Sequence, residues 1–433
     1  MTSAGRRIDV RWWLGITIAI FFIAYGCVSL PSCARGASAS DVVFWAFGVE
    51  GEYVSKLIPE FERRNPGIHV RVQMIPWNAA HEKLLTAFAG GSLPDISQMG
   101  NTWIPEFNVL HAIEDLTPWM AQGAAIRDSF YFPGVWDTYR IDSVLFGIPW
   151  YVDTRVLFYR SDLLAQVGYP RPPRTWSELE DASARLVARS PGHYGIFFST
   201  NNEWAPPVLF GLQKRSSLLK DHDTRGNFSG PEFADATREF YKFFRNGWAP
   251  VKTTQIVNVY QAFAEGYFAM YISGPWYIGE FTRRLPDSLQ NAWMTAPLPG
   301  PDDSSSISFA GGSGLVMLRT SNHKPEVWKL MEFLSAPAQQ IGFYRLTGNL
   351  PARLEAWHDS SLAHNTYAAA FFTQLNNAVA LPKVPEWEQI AQEVRQHVEL
   401  ITMDQLTVDE GLKALDRKVD IVLEKRRWIA HGE

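Results

Sequence analysis

Of the 17 tryptophans in this 433-residue chain, several stand directly beside backbone punctuation: Pro76-Trp77, Gly100-Asn101-Thr102-Trp103, Pro149-Trp150 and Gly274-Pro275-Trp276. Proline and glycine mark turns and element ends, and in layered α/β folds ligands bind at such ends. An indole held on a turn offers a flat apolar face and one N–H. That suits a ligand that is partly apolar and partly hydroxylated. Core packing is the competing use of any single tryptophan. Trp136, Trp248 and Trp328 sit in apolar runs and read as packing, whereas the Pro/Gly-flanked set reads as the wall of a cleft.

Covalent and metal chemistry finds little support. His81-Glu82 begins like a zincin helix, but Leu85 stands where the second histidine is required. Gly311-Gly312-Ser313-Gly314 resembles a nucleophile elbow, with Leu315 in place of the closing glycine. Asp221, Asp223, Gly226 and Glu232 fit four positions of a calcium loop, but Arg225 occupies a ligand position, so a structural turn is expected. No P-loop occurs, and no pair of carboxylates is brought together by spacing as a glycosidase needs. The two cysteines, Cys27 and Cys33, both lie near the N-terminus. Disulfides, thiolate zinc sites and a cysteine nucleophile are thereby excluded from the remainder. No cofactor and no metal are expected.

The length suggests two domains, and 46% hydrophobic with 20% charged residues is a globular composition. A formal charge of -5 without a dense basic stripe argues against a nucleic-acid partner. The one basic cluster, Lys425-Arg426-Arg427, is read as closing a helix against its dipole. Residues 1–40 have the parts of an export leader: Arg6, Arg7 and Arg11, an apolar run from Trp12, then small residues. Three fates stay open. Leu30-Pro31-Ser32-Cys33 offers acylation at Cys33, Ala37-Ser38-Ala39 offers release, and the apolar run approaches the length of an uncleaved anchor.

The elements that must position the tryptophans follow from periodicity. Val42 to Phe47 reads as a strand, Tyr53-Leu57-Phe61 as a helix broken by Asn65-Pro66-Gly67, and Ile68 to Met74 as an alternating strand. A helix carrying Leu84, Leu85 and Phe88 stops at Gly90-Gly91 before a strand from Ile96. Strand–helix alternation of this kind calls for a parallel sheet covered by helices. A second α/β stretch begins near Val152. It includes a capping box at Thr175-Trp176-Ser177-Glu178 and a helix opened by Pro231. Residues 297–306 read as a linker, Leu315 to Leu318 as a strand, Pro325 to Leu334 as a helix, and the C-terminal region as mainly helical.

Eight segments in order also resemble the extracellular solute-binding proteins of ABC sugar importers, the maltose-binding-like group. They include Phe61-Glu62-Arg63-Arg64-Asn65-Pro66-Gly67, Gly90-Gly91-Ser92-Leu93-Pro94-Asp95-Ile96, and Gly147-Ile148-Pro149-Trp150-Tyr151-Val152-Asp153-Thr154. Pro173 to Trp176, Gly274-Pro275-Trp276, Gly311-Gly312 and Gly348-Asn349-Leu350-Pro351 continue the pattern. The resemblance implies an α/β, two-lobed periplasmic-binding-protein fold of type II, each lobe a mostly parallel sheet flanked by helices, with a hinge between. Residues 41–153 and 309–353 would form the first lobe, 154–300 and 356–433 the second, and 301–308 the hinge linker. It implies a monomeric, exported, non-enzymatic protein that passes a carbohydrate, expected to be an oligosaccharide, to membrane permease subunits. By position, Asp153 would accept sugar hydroxyls while Trp204 and Trp276 stack from the second lobe. Trp45, Phe47, Gln98, Asn101 and Trp103 would line the first, with Trp77, Trp150, Gly312 and Arg353 as further contacts. For Asp153 a turn cap, and for Trp45 a place in the core, remain open. The alternatives are an anionic solute such as a glycerophosphodiester, which needs clustered cations, and a secreted carbohydrate-active enzyme.

Overall fold

The computed structural model describes residues 41–199, 203–251, 256, 258–304 and 306–431. Twelve strands matter for the site. They are β1 (Asp41–Phe47), β2 (His69–Ile75), β3 (Ile96–Gly100), β4 (Ile148–Asp153), β5 (Val156–Arg160) and β6 (Tyr194–Phe197). After them come β7 (Phe268–Ser273), β8 (Trp293–Ala296), β9 (Ser308–Phe309), β10 (Gly311–Met317), β11 (Leu350–Pro351) and β12 (Ala378–Val379). One sheet has the order β11-β4-β10-β3-β1-β2 and the other β8-β5-β7-β6.

Both sheets are mixed, which corrects the expectation of mostly parallel strands. β1 runs parallel to β3, but β10 lies antiparallel to both β3 and β4, and β11 antiparallel to β4. In the other sheet β7 is parallel to β6, and β5 is antiparallel to its two neighbours. The cause is the hinge. β4 ends at Asp153, opposite Gly311 where β10 begins, so the returning chain must run back along β4.

Helices cover the sheets by their apolar stripes. Helix Trp77–Ala89 buries Ala80, Leu84 and Ala87, and helix Trp176–Arg189 buries Trp176, Leu179, Ala182, Ser183 and Leu186. β5 shows how one strand serves two layers, since successive side chains point to opposite faces. Phe158 packs with Phe281, Trp293 and Phe371, while Leu157 joins Phe210, Phe240 and Met270 on the other side. Trp293 is itself sandwiched, 3.9 Å from Tyr367 and 6.2 Å from Phe158 between ring centroids.

Three local expectations shift. The first helix divides into Gly48–Val54 and Ile58–Arg64, because Pro59 cannot donate to the preceding turn. At Thr175 the hydroxyl accepts from Glu178 N, but the Glu178 carboxylate accepts from Arg174 N at 2.7 Å rather than closing the box. A complete box stands instead at Thr407 and Glu410. Of the basic cluster, Arg426 pairs with Glu386 and Arg427 donates to Thr224 O, so tertiary contacts hold it. At 221–223 three successive residues have left-handed φ, the expected turn. No group that could hold a metal ion occurs among the described residues.

Three passages of chain lie together beside the end of β4. Thr154 Oγ1 is 2.8 Å from Phe309 O and from Ser308 Oγ, all buried. β9 pairs with β12, and Ala310 N donates to Val379 O. Thr154→Val removes the hydroxyl at nearly constant volume. We expect it to lower stability by about 1–3 kcal/mol, read as a lower urea midpoint with an unchanged slope. An unchanged midpoint would mean that packing alone holds the crossing.

Candidate functional site

The site begins with two glycines. A Cβ on Gly311 would collide with Asp153 Oδ1, and one on Gly312, whose φ is +116°, would collide with Tyr151 O. Only glycine lets β10 approach β4 this closely while keeping the left-handed φ at Gly312. The approach sets Asp153 and Gly312 at the shared edge of two adjoining hollows, of about 260 and 230 Å³. The first is walled by Trp77, Trp103, Trp204 and Phe309, the second by Glu50, Trp77, Trp276 and Asn349.

Each indole is fixed from behind. Trp77 lies over Gly48, donates Nε1–H to Glu50 Oε2 at 3.1 Å, and meets the edge of Phe47 at 5.2 Å. Trp103 rests on Gly100, 5.9 Å from Phe47 and 6.0 Å from Trp77. Trp204 leans on Phe309 at 5.3 Å and Trp387 at 5.6 Å. Trp276 is 42% exposed and Trp77 39%, far more than core tryptophans, so both present open faces.

The polar groups alternate with these faces. Asp153 Oδ1 accepts from Arg155 Nη1 at 3.0 Å, and Arg155 also lies 3.8 Å from Glu203. The Arg155 guanidinium sits 4.7 Å from the Trp276 ring and 5.1 Å from Phe309. Burial pushes the Asp153 carboxyl above its ordinary value; Arg155 opposes this and Glu203 adds to it. Glu50 Oε1 accepts from Asn349 Nδ2 at 2.9 Å, and Thr102 Oγ1 donates to Glu388 Oε1 at 2.6 Å. Among the described residues neither Glu50 nor Glu388 has a cation in ion-pair range. The hollows therefore carry three carboxylates against one guanidinium.

Of the residues expected at the site, Trp77, Asn101, Trp103, Asp153, Trp204, Trp276 and Gly312 line the hollows. Trp103 and Trp276 stand on adjoining hollows rather than facing one space. Five others stand elsewhere. Trp150 is on the opposite face of β4 from Tyr151 and Asp153, stacked on Phe343 at 4.3 Å in the core. Trp45 is buried with Lys83 over its ring. Phe47 and Gln98 are fully buried beneath the cleft. Gln98 Oε1 accepts from Phe47 N, and its Nε2 donates to Tyr151 Oη and Ser313 Oγ. Arg353 is turned away: it stacks on Phe130 at 4.3 Å and donates to Ala125 O. Cys33 lies outside the described residues.

Residues 48–341 match the bacterial extracellular solute-binding protein family. The chain belongs to this family. It is 46% identical to the sugar-binding protein MalE of Xanthomonas citri, with a TM-score of 0.88 over 91% of this chain and all of that one. A solute-binding protein from Thermotoga lettingae bound with α-D-tagatose is 25% identical, with a TM-score of 0.75 over 89% of this chain and 100% of that one. The diacetylchitobiose binding protein DasA of Streptomyces coelicolor is 23% identical over 392 residues, 86% of this chain and 90% of its own.

In this solute-binding frame the sequence reading missed Glu50, Arg155, Phe309, Asn349 and Glu388. Arg155 follows the Asp153-Thr154 crossing and Asn349 lies inside the family-like Gly348-Asn349-Leu350-Pro351 segment, so both had a signal. Glu50 and Glu388 had none. Gly312→Ala should lower the melting temperature by an amount equivalent to about 1–3 kcal/mol, from a strained φ and a backbone collision. A melting temperature equal to wild type would refute the close approach.

Proposed function

We propose that this protein is the exported binding component of an ABC importer, holding a carbohydrate between its lobes for delivery to a membrane permease. The observation that carries the reading is the alternation of fixed indole faces from both lobes with Asp153, Arg155, Glu50 and Glu388 around Gly312. Sugar rings offer C–H faces to the indoles, and their hydroxyls donate to carboxylates in charge-assisted hydrogen bonds. Two adjoining hollows sharing Trp77 and Asp153 suit more than one ring, hence an oligosaccharide. Hinge closure about the three crossings would bring the walls onto the ligand. The proposal needs no chemical step. It takes the protein as a monomer placed outside the cytoplasm by its leader, free or tethered through Cys33. No helix among the described residues is long and apolar enough to cross a membrane.

The charge balance disfavours the anionic alternative. Arg155 is already shared by Asp153 and Glu203, and Arg353 is held away from the cleft. A glycerophosphodiester should therefore give no calorimetric heat where a neutral oligosaccharide does; binding of the diester would reverse this reading. Trp276→Ala should weaken oligosaccharide binding by about tenfold or more, the size of a lost aromatic anchor, with the melting temperature unchanged. Unaltered affinity would remove Trp276 from the site, and product formation from the oligosaccharide would replace binding by catalysis.

A further inference from the structure

We propose that His81 is a positioning residue of the cleft: its protonated imidazole, paired with Glu106, clamps Trp103 into the wall. The inference rests on the reading of Trp103 as a ligand platform. Trp77 opens helix Trp77–Ala89, and His81 lies one turn later on the same face. Trp103 spans both, its ring 6.0 Å from Trp77 and 4.9 Å from the imidazole, edge-on in each case. The helix that follows Trp103, Ile104–Val109, carries Glu106 and Phe107. His81 Nε2 is 2.6 Å from Glu106 Oε2, and the imidazole meets Phe107 at 6.0 Å. One charge-assisted contact thus ties two helices together with Trp103 between them.

The fragment that resembled a zincin start therefore has a carboxylate from another helix as its partner. The hydrogen bond from Glu106 raises the imidazole above its ordinary value. Burial opposes this, and the charges of Glu106, Glu388 and Glu82 add to it. These are the charged groups facing His81: Glu82 from its own helix, Glu106 from the next, and Glu388 from helix Trp387–Thr402. Lys83 is turned over Trp45. A raised folded value means that the clamp is complete below the ordinary imidazole pKa of about 6.5. It is lost as pH rises through the raised value. The imidazole also meets the Trp103 ring at 4.9 Å and 63°, and a ring contact of this kind loses its cationic partner on deprotonation.

The test is a pH titration of the ligand-free protein by NMR, following the His81 ring and the Trp103 indole N–H, with maltotetraose affinity measured in parallel. We expect the Trp103 signal to move with the same midpoint as His81. Affinity should fall roughly two- to fivefold between about pH 6 and about pH 9, the size of one partly exposed ion pair. His81→Lys, charged throughout that range, should hold both readouts level at the low-pH value. His81→Gln should hold them level at the high-pH value. A Trp103 signal that ignores pH, or that titrates equally in His81→Gln, overturns the clamp. A Trp103 signal that follows His81 in a protein that binds no sugar supports the clamp and counts against the sugar reading.

Discussion

Asp153 can occupy the centre of the cleft only because two consecutive residues beside it have no side chains. β4 ends there, the chain passes to the other sheet, and β10 returns against it so closely that a Cβ on Gly311 or Gly312 would strike the carboxylate or the Tyr151 carbonyl. The frame of the site takes its position from that contact. It fixes the edge shared by the two hollows and places Arg155 two residues on, between Asp153 and Trp276. It also sets the direction in which β10 crosses the sheet. The cost is a carboxyl that burial pushes toward its neutral form, retained where a ligand can supply new donors.

Behind the open faces lies a buried layer that makes them rigid. Phe47 touches both Trp77 and Trp103, while Gln98 wires the Phe47 backbone to Tyr151 and Ser313. Glu50 joins the Trp77 indole to Asn349, residues far apart in sequence. Side chains held this way on each wall have little rotamer freedom left to lose.

How much of this was legible in the sequence depends on which physical term decides each residue. Trp77, Trp103 and Trp276 were legible because a Pro- or Gly-marked element end sets both place and exposure. Trp150 carried the same mark and failed. Pro149 lies inside β4, and strand alternation sends Trp150 to the face opposite Asp153. Arg353 had a position in the family pattern, but position along the chain does not fix the direction of a long side chain. Glu50 and Glu388 reach the cleft through tertiary packing alone. The capping box at Thr175 was right in place and wrong by one residue in its partner, because a neighbouring N–H competes equally well. Strand direction was missed because the hinge, not local pattern, decides where β10 enters.

That entry point has a consequence for how the chain becomes a protein at all. Ser313 pairs with Gly100 on one side and Tyr151 on the other, so the middle strand of the first sheet is supplied after the whole second sheet. The N-terminal half cannot close during synthesis, and its contacts carry the entropy of a very long loop. A sheet whose inner strand arrives only after the whole second sheet has been made stays open longest.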